Sequence, residues 1–130
     1  SPAIASSGSL DVLYSTLGRD TNFGDPVLEC SGGSATIRNS IIVNQTNTPG
    51  EEVSCPGVSL TNTPVESTTT PADWFGPGFA SGDYFLNAAG QTQFGNTAVW
   101  EDGDPPFDFD GDARPAVDGS PDYAGADTIP

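Results

Sequence analysis

Apolar and polar residues alternate in three short stretches that superimpose on one another: Leu10-Asp-Val-Leu-Tyr-Ser15, Ala35-Thr-Ile-Arg-Asn-Ser40 and Val58-Ser-Leu-Thr-Asn-Thr63. Alternation with period two predicts a half-buried strand in each. The stretches start 25 and then 23 residues apart, and a further apolar residue follows each at the same offset, Leu17, Ile42 and Val65. That interval is one coil of a parallel β-helix, so the expected fold is all-β, with about three coils whose equivalent positions stack along one core. The fifth position holds Tyr14, Asn39 and Asn62 and the sixth Ser15, Ser40 and Thr63, which predicts that the turn after the strand repeats as well.

The pattern divides the chain into three parts. Residues 1–9 are small and mostly polar, without periodicity, and read as a linker or cut edge; residues 10–72 carry the coils. Gly18 to Pro26 and Asn44 to Glu52, rich in Asn, Asp, Gly and Pro, read as irregular loops between coils, and residues 66–72 as an extended connector. From Asp73 to the end the chain holds nearly all the aromatic residues and many glycines and prolines, with short apolar pieces at Tyr84–Leu86 and Thr97–Trp100 that would suit single strands continuing the stack. A loop-rich segment with this much aromatic surface is expected to fold over an otherwise open end of the coils, so residues 73–130 read as a C-terminal cap.

A solenoid this short shares its core among few coils and needs further support. Cys30 and Cys55 are the only cysteines and stand 25 residues apart, the interval of the first two strands, so the repeat places them side by side on adjacent coils. A disulfide is the natural reading; two unrelated buried thiols are the alternative, and without histidine two cysteines do not complete a structural zinc shell. Such a bond needs an oxidising compartment, which points to a secreted or cell-surface protein.

Charge narrows the function further. Eighteen acidic residues face three arginines, with no lysine or histidine, for a net charge of −15. Phosphate backbones and anionic lipid would be repelled, so neither nucleic acid nor membrane insertion is expected. The absence of histidine removes the commonest general acid–base group and most nucleophile arrangements.

The run Ala35-Thr-Ile-Arg-Asn-Ser-Ile-Ile-Val43 resembles a coil of the bacterial right-handed parallel β-helix proteins of the pectin-lyase-like superfamily. The tail carries more specific signals: Gly82-Asp-Tyr-Phe-Leu86, Phe107-Asp-Phe-Asp-Gly-Asp-Ala-Arg-Pro115 and Ser120-Pro-Asp-Tyr-Ala-Gly-Ala-Asp127 resemble the C-terminal close of large secreted repeat proteins. The finish here is one residue longer before its glycine than the usual pattern. The resemblance implies a right-handed coil and a secreted or surface location; it transfers no catalytic site.

Candidate chemistry lies mostly in the tail. Asp108, Asp110 and Asp112 alternate around Gly111, with Asp118 shortly after, a spacing that resembles the opening of a calcium loop. It departs from EF-hand loops at Ala113, where a glycine is expected, and at Gly119, where a glutamate is expected. The plainer alternative is that these aspartates cap turns. Trp74, Trp100 and Tyr84 are candidates for stacking on a polysaccharide, or else form the core of the cap. Asn44-Gln-Thr46 matches an N-glycosylation acceptor. No catalytic residues are assigned, because among 18 acids some facing pair is inevitable. The expected role is a non-enzymatic extracellular structural module, partnered by preceding coils of a parent chain or by another copy of itself, with self-stacking into filaments as one outcome. Two alternatives stand beside it: the terminal part of a polysaccharide lyase or hydrolase, and a calcium-dependent carbohydrate- or surface-binding module.

Overall fold

In a computed structural model, described for residues 2–19, 26–45, 52–68, 70–76 and 83–129, the chain passes three times through three parallel sheets. The first pass supplies β1 (Ile4–Ser6), β2 (Leu10–Leu13) and β3 (Thr16–Arg19). The second supplies β4 (Leu28–Cys30), β5 (Ala35–Arg38) and β6 (Ile41–Gln45), and the third β7 (Val53–Ser54), β8 (Ser59–Thr61) and β9 (Val65–Thr68). The sheets run β1-β4-β7, β2-β5-β8 and β3-β6-β9, so each pass is one rung and contributes one strand to each sheet.

The registers agree with the spacing of the sequence repeat: Leu10 pairs with Ala35, Thr36 with Ser59, Leu17 with Ile42 and Ile42 with Val65. The repeat shows only part of each rung, however. Ile4–Ser6, expected to lie outside the coils, is a strand paired with Leu28–Cys30, and Val65–Thr68 extends the third sheet into the expected connector. Two- and three-residue strands are too short to display alternation, so their signal is lost in the surrounding serines and glycines. The loops expected between coils fall largely at 20–25 and 46–51, outside the described residues.

The corner after β2, β5 and β8 repeats in conformation. Tyr14, Asn39 and Asn62 all adopt positive φ, at 47°, 55° and 50°. Asparagine tolerates this left-handed region better than most side chains, whereas a tyrosine there needs compensation from its surroundings. The next residue builds a hydroxyl ladder: Ser15 N donates to Ser40 Oγ at 3.1 Å and Ser40 N to Thr63 Oγ1 at 3.3 Å. Each hydroxyl in turn donates to the carbonyl two residues before it.

Inside the rungs, Val12, Val27, Leu28, Ala35, Ile37, Ile42 and Cys55 form one buried cluster. Cys30 and Cys55 are joined there in a disulfide that ties the second rung to the third. Closing a loop of this length contributes about 3 kcal/mol in the chain-entropy model.

β6 is buried on both faces, which sets the place of the C-terminal segment. Ile42 points into the rungs, while Ile41 and Val43 point outward into a second cluster with Tyr14, Phe75, Leu86, Phe94, Ala98, Trp100 and Ala124. The aromatic segment therefore packs along the flank of the stack, on the outer side of β6, and the last rung keeps Leu60 40% and Val65 37% exposed. The reason is legible in β6 itself: Ile41-Ile-Val43 is apolar at successive positions, so both faces of that strand need cover.

Within the flank segment a short 3-10 turn (Pro71–Asp73) leads to helix α1 (Ala88–Phe94), and β10 (Ala98–Trp100) pairs antiparallel with β11 (Ser120–Asp122). Thr97–Trp100 thus does not continue the stack, and Leu86 makes only an isolated bridge to Phe75. Asn87 caps the helix, accepting from Gly90 N at 2.9 Å and donating to Ala72 and Phe75 carbonyls.

Candidate functional site

The flank segment meets the stack through three polar anchors. Asn39, fully buried, donates from Nδ2 to Val99 O at 2.7 Å and accepts from Val99 N at 3.2 Å, so its amide pairs with β10 as another strand would. Arg38 pairs with Asp104, and Thr16 Oγ1 accepts from Ala126 N at 3.0 Å. Gly125 passes so close that an added Cβ would lie 2.6 Å from Thr16 Oγ1 and 2.7 Å from Ile41 Cδ1. Only glycine fits there, at φ 90°.

Beneath the segment, Arg114 and Asp122 form an ion pair at 3.0 Å with side chains 1% and 2% exposed. The guanidinium also reaches Gly125 O at 2.9 Å and lies 4.0 Å above the Tyr14 ring. Burial, and then the Asp122 charge, hold the Tyr14 phenol well above its ordinary value, so it stays neutral. The cation over its ring is the compensation that accompanies its left-handed backbone.

The expected metal set Asp108, Asp110, Asp112 and Asp118 is divided. Asp108 and Asp110 are brought together with Asp127, one oxygen from each lying within 4.8 Å of the others, while Asp112 and Asp118 stand outside that group. Asp118 instead accepts from Asp102 N at 3.1 Å across a neighbouring turn. Asp127 lies 17 residues beyond Asp110 and enters because its carboxylate accepts from Leu86 N at 2.7 Å; no local spacing announces it.

Electrostatics within the trio are uneven. Burial alone would raise the Asp108 carboxyl, but the hydrogen bond from Asp110 and those from the N–H groups of Thr128, Asp112 and Asp110 outweigh it and hold it below the usual range. Asp110, exposed, is pushed up to about 6, first by sharing a proton with Asp108 and then by neighbouring charge. Asp127 is raised chiefly by burial. Three carboxyl groups in such proximity, two of them held above the usual carboxylate range, could offer oxygen ligands to a hard divalent cation.

The expected sugar-stacking residues are placed in packed surroundings. Trp100 is buried, its indole N–H donating to Pro105 O at 3.1 Å. Trp74 meets Phe94 edge-on at 5.6 Å and Tyr84 meets Phe75 edge-on at 6.0 Å. Among the described residues the aromatic rings open to solvent are Phe85, Phe107 and Phe109, of which Phe85 and Phe109 lie 4.9 Å apart beside the acidic trio. Asn44 is buried, so it presents no amide for a glycan; Thr46 lies outside the described residues.

A groove of about 600 Å³ runs between α1 and β11, with Arg114, Asp122 and Tyr123 along it. Asp122 is the one carboxylate among the described residues lining it, and Arg114, Tyr123 N and the Thr128 hydroxyl all donate to it. Glycoside hydrolysis needs two facing carboxyl groups, one of them free to ionise and the other to protonate, and that pairing is not found in this groove. Comparison with protein-family models, with curated proteins and with solved structures gives no match for this chain.

Proposed function

We propose that the chain is a non-enzymatic, extracellular structural module, built as a right-handed parallel β-helix of about three coils and akin to the ends of secreted pectin-lyase-like repeat proteins. One observation carries the reading: three parallel sheets in register, tied across rungs by a disulfide, with Asp108 and Asp127 of the flank accepting from backbone N–H groups. The disulfide fits an oxidising compartment. No helix of the described residues is long and apolar enough to cross a membrane. In this role the rungs form part of a longer stack, extended by further coils of the same polypeptide or by another copy.

The test is incubation of the purified chain with acidic and neutral polysaccharides, followed by mass spectrometry of the products. No new fragments are expected; time-dependent unsaturated or reducing ends that disappear with an Asp122→Asn variant would replace this reading with the lyase or hydrolase one.

The Asp108, Asp110 and Asp127 trio favours a second role for the same module, calcium-dependent attachment to a surface or polysaccharide. A ligand selective for the folded state raises stability. Calcium added after chelation would then raise Tm in the native chain and leave an Asp110→Asn, Asp127→Asn double variant unchanged; equal curves for both proteins would remove the cation from the account.

A further inference from the structure

The hydroxyl ladder has a direction. Each rung's backbone N–H at this corner donates to the hydroxyl of the following rung, from Ser15 to Ser40 and from Ser40 to Thr63. Thr63 belongs to the last rung, so its N–H faces the end of the stack with no further rung's hydroxyl to meet among the described residues. At the other end Ser15 Oγ donates to Leu13 O and keeps its acceptor side open to a rung placed before it. One end therefore offers a donor and the other an acceptor, at the same corner.

Resting on the structural reading above, we propose that a second copy of this chain docks head to tail, the β7, β8 and β9 edge of one molecule pairing with the β1, β2 and β3 edge of the next. Extending the observed registers by one rung sets Val53 beside Ile4, Leu60 beside Val12, Val65 beside Leu17 and Thr63 beside Ser15 of the next copy. Apolar side chains meet apolar ones along the line of the inner cluster, and Thr63 N–H finds the Ser15 hydroxyl. The last rung is the more exposed contributor, with Leu60 at 40% against 8% for Val12. Among the described residues β1, β2 and β3 form one set of sheet edges and β7, β8 and β9 the other, and strand edges are templates for pairing.

Charge permits the contact despite the net −15. Eleven of the 18 acidic residues lie at or after Asp73, in the segment beside the stack. In the extended register Asp11 faces Ser59 and Glu66 faces Gly18, so at the paired strands no acid meets an acid. The contact joins two different surfaces and does not close on itself, so it propagates into filaments.

Sedimentation velocity of the full chain from micromolar to millimolar concentration tests this, with far-UV circular dichroism as the check on folding. The native chain is expected to grow in mass beyond two copies as concentration rises. Leu60→Arg alone and Leu17→Asp alone are each expected to remain monomeric, while their equimolar mixture gives a species of two copies and no larger, because each supplies the end the other lacks. Should Leu17→Asp fail to fold, Ser15→Val removes the acceptor, along with the local bond to Leu13 O, and is expected to weaken association about fivefold, the worth of one intermolecular hydrogen bond. A native chain that stays monomeric at millimolar concentration overturns the proposal, as does a Leu17→Asp variant that still pairs by itself, which would mean a tail-to-tail dimer. Either result leaves the non-enzymatic reading standing, since that falls only on polysaccharide turnover.

Discussion

The stack and the flank segment solve the same problem with opposite means. In the stack, backbone groups satisfy one another from rung to rung, and side chains reinforce the corner through Ser15, Ser40 and Thr63. In the flank, strands are few, and carboxylates replace the missing ladder: Asp108 accepts from the N–H groups of Asp110, Asp112 and Thr128, Asp104 from Glu101, and Asp127 from Leu86. The acidity of this protein is thus partly architectural. A carboxylate accepts several N–H bonds at once, which lets loop-rich chain be buried without orphaned donors.

The two regions can be separated experimentally because Trp74 and Trp100 both lie in the flank, so tryptophan emission follows that region while far-UV circular dichroism follows the strands. The largest effect is expected from Arg114→Met, which leaves Asp122 buried without its partner. Removing one member of such a pair costs about 3–5 kcal/mol. Tryptophan emission should shift to the red at a lower temperature, ahead of the strand signal; coincident loss of both signals would show that the regions fold as one unit.

Next in size is the disulfide. Replacing Cys30 and Cys55 together by serine is expected to cost about 3 kcal/mol. Here the order reverses, with the strand signal lost first in a denaturant titration. An unchanged midpoint would show that the second and third rungs do not depend on the bond.

The smallest effect concerns pH. Asp110 is raised from 3.8 to about 6 in the fold, so it contributes stability that is full below its unfolded value and lost as pH rises through about 6. Asp104 and Asp108 are held below 3.8, Asp104 against burial by its hydrogen bond from Arg38, and contribute stability that is present above that value and lost as pH falls through their depressed folded values. Tm should therefore decline slightly from pH 5 to pH 7, and Asp110→Asn should flatten the decline. A decline that persists in the variant would assign it to other groups.

Legibility followed the same division. The repeat made the β2-β5-β8 sheet, the Leu17, Ile42, Val65 column and the cysteine pairing readable, because strands stacked in register must repeat their pattern at the rung interval. The first sheet escaped because Val53–Ser54 and Ile4–Ser6 are too short to show a period. Helix α1 escaped because Ala-Ala-Gly-Gln-Thr-Gln-Phe carries a glycine at its third position and spans barely two turns. Two of the acidic trio were legible, Asp108 and Asp110; Asp127 joined them through folding alone.

By itself the sequence determined the rung interval, the interior columns of the second and third sheets and the pair of cysteines that staple adjacent rungs, since each is a periodic relation that the linear order contains. Only the tertiary structure decided that the aromatic segment lies along the flank, that Trp74, Trp100 and Tyr84 are packed while Phe85, Phe107 and Phe109 stand open, and that Asp127 completes the acidic group. Those outcomes depend on which buried surface lacks a cover, here the outward face of Ile41 and Val43. Such a demand exists only once the rungs have formed and the apolar area left over can be matched by another part of the chain.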